Sequence, residues 1–388
     1  MIKKLAIITT HPVQYNVPLF QILHSNKKIE IKVFYTWGDD VLIKKFDPGF
    51  NINVDWDLPM IQNYSCQFCL NIAKNKGSHH FFGIDNPYLF DNLKDYSPDG
   101  ILLFGWRFKS HLNVLRHFKG KIPIMFRGDS TLVDNKGFFK NKLRLLFLKW
   151  IYRNVDIALF TGKNNYDYFI ASGLKSSQLI FAPHAVDNVR FGNLSNEIKE
   201  FSFKIKESLS ILSEDFVFLY TGKFEPKKDL LFLIEAFKNA ALGNKVHLIL
   251  AGSGIQENEI KHSVRNCKNI HVIGFINQLN IPAIYEMADV FVLPSKGPNE
   301  TWGLSVNEAM ANGKAVMVSN KCGCAIDLVK GNGYVFESGN SLDLISKLKF
   351  ICSDRNNVEK MKLNSKNIIQ SYSLENLASV IESVVIGL

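Results

Sequence analysis

The sequence has no apolar run of the roughly 18–20 residues that a membrane-spanning helix requires. Its opening, MIKKLAIITTHP, holds only a five-residue apolar run behind two lysines and no small-residue cleavage site. It reads as a first buried strand rather than a secretory leader. No internal repeat or low-complexity tract is visible, which argues against a solenoid or a disordered tail. Charged residues are only 21% of the 388 and hydrophobic ones 46%, a composition that folds and fills the cores of two ordinary domains. Six cysteines are too few for a disulfide framework. Cys66 and Cys69 form a C-x-x-C followed by His79 and His80, but the second half lacks the ligand spacing of a zinc site. These thiols, with Cys322 and Cys324, read as reduced and structural, and the expectation is a cytoplasmic protein that binds no metal.

Acidic residues are also scarce in one region. Residues 107–153 carry 2 of them against 12 basic ones, and residues 1–200 carry 26 Lys+Arg against 17 Asp+Glu. The rest is nearly balanced, 20 against 19, so most of the net charge of +10 lies in the first half. Such a field attracts an anion, and nucleic acid and an anionic membrane surface are the evident candidates.

Short β-rich runs alternate with helix-length segments throughout. LAIITT (5–10), IEIKVFYT (29–36), GILLFG (100–105), IPIMF (122–126) and DIALFT (156–161) occupy the first half. FVFLYTG (216–222), VHLILAG (246–252), IHVIGF (270–275), DVFVLP (289–294) and KAVMVS (314–319) occupy the second. Uninterrupted Val/Ile/Leu/Phe runs bounded by Gly, Pro or Asp suit strands buried on both faces. Helical patterns between them, such as 230–242 and 281–288, predict parallel sheets with crossover helices. The expected class is α/β: two doubly wound, Rossmann-like domains, 1–195 and 196–365, with a final segment 366–388 forming a helix.

Ligands of such sheets bind beyond the carboxyl ends of the strands. There the second half places Lys223 and Lys228, Gly252 of a Gly-Ser-Gly, and the stretch NETWGLSVNEAMANGKAV (299–316). Two ammonium groups five residues apart suit a diphosphate; a solvated basic loop is the plainer alternative. Gly252-Ser253-Gly254 lacks the third glycine of a dinucleotide fingerprint. Gly303 and Leu304 precede a helix whose first amides face an anion. Glu308, about one turn into it, and Glu300, on the preceding loop, are then placed to accept hydrogen bonds from hydroxyls on either side of a phosphate. The ligand this predicts is a sugar joined through a diphosphate to a nucleoside.

The second half resembles the nucleotide-sugar domain of family-four retaining glycosyltransferases with the GT-B fold, in which two Rossmann-like domains face a cleft. The marks are the E-x7-E of Glu300 and Glu308, EAMANGKAV, TGKFEPKKD, LAGSG, VIGFINQLNIPAIYEMADVFVLPS and GNGYVFESGN (331–340). The family loop usually carries Arg and then Lys; here both are Lys, which keeps the charge and loses the bidentate fork. The first half is similar to a subset that starts with HPVQY, through THPVQYNVPLF (10–20), FGW (104–106), FRGDS (126–130) and FAPHAVDNVRF (181–191). The Gly-Gly pair common after the first strand is absent, so the resemblance leaves Gln14, Tyr15 or Asn16 to supply amides there.

The resemblance implies a metal-independent transferase that moves a sugar from a nucleotide-diphosphate donor with retention of configuration. Lys223, Lys228 and the amides of Gly303 and Leu304 would hold the leaving diphosphate, beside Trp302. Glu300 would position the donor sugar, Glu308 the ribose, and main-chain groups near Phe275 and Ile276 the base. Asp129, with Arg127 second, would meet the sugar from the first domain; for Asp129 a helix N-cap is the plain alternative. His11 and His184 also follow strands, and for His11 a structurally satisfied ring is the favoured reading over ligand contact. The final helix would return to the first domain. KGFFKNKLRLLFLKWIYRN (136–154) mixes basic with aromatic and aliphatic residues, so it suits either an anionic membrane surface or a core helix with a basic face. The expected acceptor is a lipid-linked surface polysaccharide or lipopolysaccharide intermediate, handled at the cytoplasmic face of the inner membrane. A GT-B sugar-nucleotide epimerase and a non-catalytic binder of nucleic acid or membrane are the rival classes; no nucleic-acid motif is present.

Overall fold

A computed structural model describes residues 2–39, 45–133 and 138–388. The chain forms two compact units, one of Met1–Lys44, Pro59–His184 and Leu374–Leu388, the other of Lys45–Leu58 and Ala185–Ser373. The first strands are β1 (Lys4–Thr9), β2 (Glu30–Tyr35), β3 (Lys45–Asp47), β4 (Ile52–Val54) and β5 (Cys66–Phe68). β6 (Gly100–Phe104), β7 (Ile124–Arg127), β8 (Ile157–Phe160) and β9 (Leu179–Phe181) follow. The second series is β10 (Phe216–Lys223), β11 (Val246–Ser253), β12 (Ile270–Ile273), β13 (Val290–Leu293), β14 (Ala315–Ser319) and β15 (Gly333–Phe336).

Both sheets are parallel and Rossmann-like. Among the described residues the first has the order β5-β2-β1-β6-β7-β8-β9 and the second β12-β11-β10-β13-β14-β15. The long apolar runs become the inner strands, buried along nearly their whole length: Leu5–Ile8 in β1, Phe216–Tyr220 in β10 and Val290–Leu293 in β13. Helices then cover the faces. Helix Leu230–Ala240 buries Leu230, Leu233, Ile234 and Phe237, a stripe at helical spacing. Each fully buried side chain of this size contributes about 1.5–3 kcal/mol.

Five strands escaped the sequence pattern: β3 and β4, which pair only with each other as a short hairpin, and three edge strands. β5, β9 and β15 are sheet edges of three or four residues, half exposed, and therefore carry no continuous apolar run. The divisions also differ from the sequence expectation. Residues 185–195 fold with the second unit, because Phe191 packs edge-on against Tyr285 and its carbonyl accepts from Asn312 Nδ2 at 2.8 Å. Residues 366–373 stay there too, and only Leu374–Leu388 joins the first unit. Its helix, Leu374–Ile386, docks on helix Val17–Asn26, where the buried Glu382 accepts from Lys28 at 2.9 Å and Asn26 at 2.7 Å. The hairpin β3–β4, expected in the first domain, belongs to the second unit.

In each sheet the strand order reverses once, between β1 and β6 and between β10 and β13. A crevice opens beyond the carboxyl ends at such a point. In the second unit Lys228 and Glu300 follow the two strands at that point, whereas in the first unit His11 follows β1, Arg127 ends β7 with Asp129 just beyond it, and His184 follows β9.

Candidate functional site

In the second unit the strand order reverses between β10 and β13. β10 ends at Lys223, and a 3-10 turn, Pro226–Lys228, brings Lys228 back. After β13, Ser295 opens the loop that carries Glu300. The two loops meet in an ion pair, Lys228 Nζ to Glu300 Oε2 at 2.5 Å, with Ser295 Oγ donating to the same oxygen at 3.0 Å. The lysine and glutamate side chains are 15% and 8% exposed, so the pair is largely withdrawn from water. Ser295 was not among the residues expected here, although its place directly after a strand was the available signal.

Glu300 is held from behind. Its carbonyl accepts from the Gly323 amide at 3.1 Å, and Trp302 O accepts from Cys324 N at 3.1 Å. Trp302 turns inward, 3% exposed, and its indole N–H donates to Asn307 Oδ1 at 2.8 Å. Expected beside the ligand, the Trp302 ring instead anchors the loop. Gly303 then starts helix Leu304–Ala311 with φ of 105°, and a Cβ there would fall 2.7 Å from Leu293 Cδ2. Only glycine satisfies both conditions. The helix begins beside Glu300, so its first amides and the Lys228 ammonium lie on the same rim.

Glu308 is nearly buried, at 4% exposure, and accepts from Tyr285 OH at 2.6 Å. Thr221 Oγ1 lies 2.6 Å from the same tyrosine oxygen, which links the end of β10 to the helix through a line of hydroxyls. Tyr285 and Thr221 were missed from the sequence, since one sits inside a helical stripe and the other inside a strand. Gly252 serves close packing: a Cβ on it would meet Gly222 O at 1.9 Å, so this glycine lets β11 run against β10. Phe275 and the adjoining Ile276 are half-buried, and the Phe275 ring meets Phe50 edge-on at 4.9 Å and Trp56 at 6.2 Å. Lys223 Nζ pairs with Asp47, 2.8 and 3.1 Å from its two oxygens. Burial pushes the Asp47 carboxyl upward, but the Lys223 hydrogen bond and the amides of Phe50 and Gly49 hold it below the usual range.

In the first unit the candidates separate into two groups. Arg127, expected as the second candidate to meet the sugar, is buried and spends its guanidinium on the main chain, donating to Ala182 O at 2.9 Å and Pro183 O at 2.8 Å. It splices β7 to the chain beyond β9 and positions its neighbours. Asp129 is half exposed, and its carboxylate stands 4.0 Å from His184 Nε2. Burial and the nearby Arg127 charge push His184 down to about 4 against the pull of Asp129, so the ring is neutral near pH 7. His11 lies beyond β1 with Nδ1 2.8 Å from Thr10 Oγ1 and its ring edge-on to Trp37 at 5.0 Å. Gln14, Tyr15 and Asn16 form the half-buried turn that leads into helix Val17–Asn26. Among the described residues no three His, Cys, Asp or Glu side chains come together as metal ligands, and Cys66 and Cys69 are free thiols.

The basic stretch at 136–154 forms helix Phe138–Tyr152; residues 136 and 137 lie outside the described part. Leu148, Ile151 and Tyr152 enter the core. Leu143, Leu146 and Phe147 stand exposed on the same helix. No described helix is long and apolar enough to cross a membrane.

Residues 201–368 match the family described as glycosyl transferases group 1, so the second unit carries a group 1 glycosyl transferase domain. A lipopolysaccharide 1,2-N-acetylglucosaminetransferase of Salmonella typhimurium is 26% identical over 191 residues, 46% of this chain and 50% of that one. An N,N'-diacetylbacillosaminyl-diphospho-undecaprenol alpha-1,3-N-acetylgalactosaminyltransferase of Campylobacter jejuni is 26% identical over 264 residues, 64% of this chain and 66% of that one. The chain spans about half the length of the first curated relatives it matches. Among solved structures, Anabaena HepE in complex with UDP superposes over 100% of both chains with a TM-score of 0.74 at 17% identity. A sucrose-phosphate synthase from Thermosynechococcus elongatus gives 0.72 over 98% of both at 17% identity. The fold is that of GT-B glycosyltransferases.

Proposed function

We propose that the protein is a retaining glycosyltransferase that moves a sugar from a nucleoside-diphosphate donor to a hydroxyl of a lipid-linked glycan. The observation that carries this is the Lys228–Glu300–Ser295 cluster at the reversal point of the second sheet, beside the start of helix Leu304–Ala311. A largely buried ammonium and free helix amides on one rim suit a leaving diphosphate, and a carboxylate beside them suits sugar hydroxyls.

As the glycosidic bond breaks, an oxocarbenium-like centre develops and negative charge gathers on the departing phosphate. Lys228, Lys223 and the amides of Gly303 and Leu304 stabilise that charge, which leaves no step that requires a metal ion. Glu300 orients the donor sugar, and Glu308, braced by Tyr285, holds the ribose. Main-chain groups near Phe275 and Ile276 hold the base. The phosphate oxygen takes the acceptor's proton on the face the donor leaves, which keeps the anomeric configuration without a covalent enzyme intermediate. In the first unit, Asp129 is the group assigned to the sugar and His184 its neutral neighbour.

The lipid-linked acceptor draws support from relatives named for lipopolysaccharide and diphospho-undecaprenol substrates. Leu143, Leu146 and Phe147, exposed on a helix that also carries Arg144 and Lys149, suit contact with an anionic bilayer. Incubation with UDP-, GDP- and ADP-sugars and an undecaprenyl-diphosphate-linked oligosaccharide tests the reading. A product extended by one sugar, with the donor's configuration by NMR, is expected from wild type and not from Glu300→Ala. Release of free sugar or an epimer without acceptor contradicts the reading and supports an epimerase. Flotation with anionic vesicles, weakened by Leu146→Ser with Phe147→Ser, checks the membrane contact; unchanged flotation rejects it.

A further inference from the structure

The segment Lys45–Leu58, which carries the hairpin β3–β4, lies against residues assigned above to the donor. Its turn is locked by Asp47, which accepts from the amides of Gly49 at 2.8 Å and Phe50 at 3.0 Å. The same carboxylate takes the Lys223 ammonium, and the Phe50 ring lies 4.9 Å from that ammonium. Gly49 is pressed so close that a Cβ would fall 2.5 Å from Lys223 Nζ and 2.6 Å from Glu225 Oε1. Ser253 Oγ, at the end of β11, donates to Phe50 O at 2.7 Å. Phe50 and Trp56 cover Phe275, Asn277 Nδ2 donates to Asp55 O at 2.6 Å, and Leu279 N donates to Asp57 at 3.1 Å.

The match of chemistry to position is systematic. A carboxylate lies on the lysine assigned to the diphosphate, and aromatic rings lie on the segment assigned to the base. Polar contacts then pin both ends of the hairpin to strand and loop termini of the same rim.

We infer that the hairpin Lys45–Leu58 is an internal stand-in for the nucleotide: Asp47 occupies the phosphate position on Lys223, Phe50 and Trp56 the base position at Phe275, and the donor must displace them. The inference rests on the donor reading above. Binding is then a competition between two anions for one ammonium, and the hairpin sets an affinity threshold for donor entry. Opening exposes Lys223 and Phe275 together, since Asp47 and Phe50 share one turn.

Two measurements test this on the full chain, with UDP, GDP, ADP and inorganic pyrophosphate as probes. Asp47→Asn keeps the side-chain oxygen that closes the turn and removes the competing charge. It is expected to bind the preferred nucleoside diphosphate roughly tenfold more tightly, the gain that follows if the open form is about a tenth of the population. Phe50→Ala, which leaves the Asp47 turn intact, shifts affinity in the same direction. Amide exchange in residues 45–58 of the wild type quickens when that nucleotide is added. Equal or weaker binding by both variants, or slower exchange of 45–58 with nucleotide, overturns the displacement while the binding itself upholds the donor reading. Failure of wild type and both variants to bind any of the four probes overturns both.

Discussion

Replacing Lys228 by methionine isolates the pair at the centre of the proposed site. Glu300 would then keep the Ser295 hydrogen bond but lose its cation while only 8% exposed. Removing one partner of a fully buried pair costs about 3–5 kcal/mol, chiefly because the other charge is stranded. Here the lysine is 15% exposed and Ser295 remains, so the expected loss is about 2 kcal/mol. Glu300→Gln strands the lysine instead and costs about 1 kcal/mol, since the more exposed ammonium reaches water more readily. Combined, the two changes leave no charge behind, and the double variant should recover to within about 1 kcal/mol of wild type. Urea unfolding followed by tryptophan fluorescence measures all four proteins. Single losses below about 0.5 kcal/mol that simply add in the double variant would refute the reasoning, because that is how a surface pair behaves.

Three further outcomes follow from the geometry. His111 is fully buried, with Nδ1 2.9 Å from Gly105 O and Nε2 2.8 Å from Thr36 Oγ1, and burial holds it down to about 4. The unfolded chain therefore binds a proton that the native one refuses. Stability is complete above about pH 6.5 and falls as pH drops toward 4, by an amount on the order of 3 kcal/mol from this group. His111→Gln should flatten that part of the pH–stability curve, and an unchanged slope would reject the assignment. Gly303→Ala forces a positive φ on a residue with a Cβ and pushes it against Leu293, so unfolding free energy should drop by about 2 kcal/mol or more. An unaltered midpoint in urea would count against the role given to this turn. Glu382→Ala strips Lys28 and Asn26 of a buried partner and should make the helix Leu374–Ile386 sensitive to limited proteolysis, whereas equal protease resistance would show that apolar packing alone holds it.

What the sequence made legible follows from where the information sits. FVFLYTG and DVFVLP are inner strands because each residue is buried whatever its neighbours are, so the run itself declares the strand. Lys228 and Glu300 could be singled out from the sequence because they lie on the loops that leave such strands. Arg127 obeys the same rule of position, yet its two carbonyl partners lie 55 and 56 residues on, and only the folded chain reveals that its charge is spent. Trp302 is a comparable case, since the choice between facing a ligand and anchoring a loop depended on Asn307 and on the packing around both. The hairpin at 45–58 had no legible place at all. Its sequence is short and irregular, and what assigns it to the second unit is a set of contacts such as Asp47–Lys223, 176 positions apart. Tyr285 was hidden for the opposite reason: an aromatic at helical spacing reads as core, and its hydroxyl gains meaning only from Glu308 and Thr221 beside it.

The most direct test of the donor rim is a thermal-shift panel of UDP, GDP, ADP and CMP, each with and without magnesium, on wild type and Lys228→Ala. Ligand that binds only the native state raises the melting temperature with its concentration. The expected result is stabilisation by one nucleoside diphosphate, insensitive to magnesium and lost in Lys228→Ala. Stabilisation by none of the four, with tight salt-dependent binding to nucleic acid or anionic vesicles instead, would contradict the assignment of Lys228 and Glu300 to a nucleotide-sugar donor.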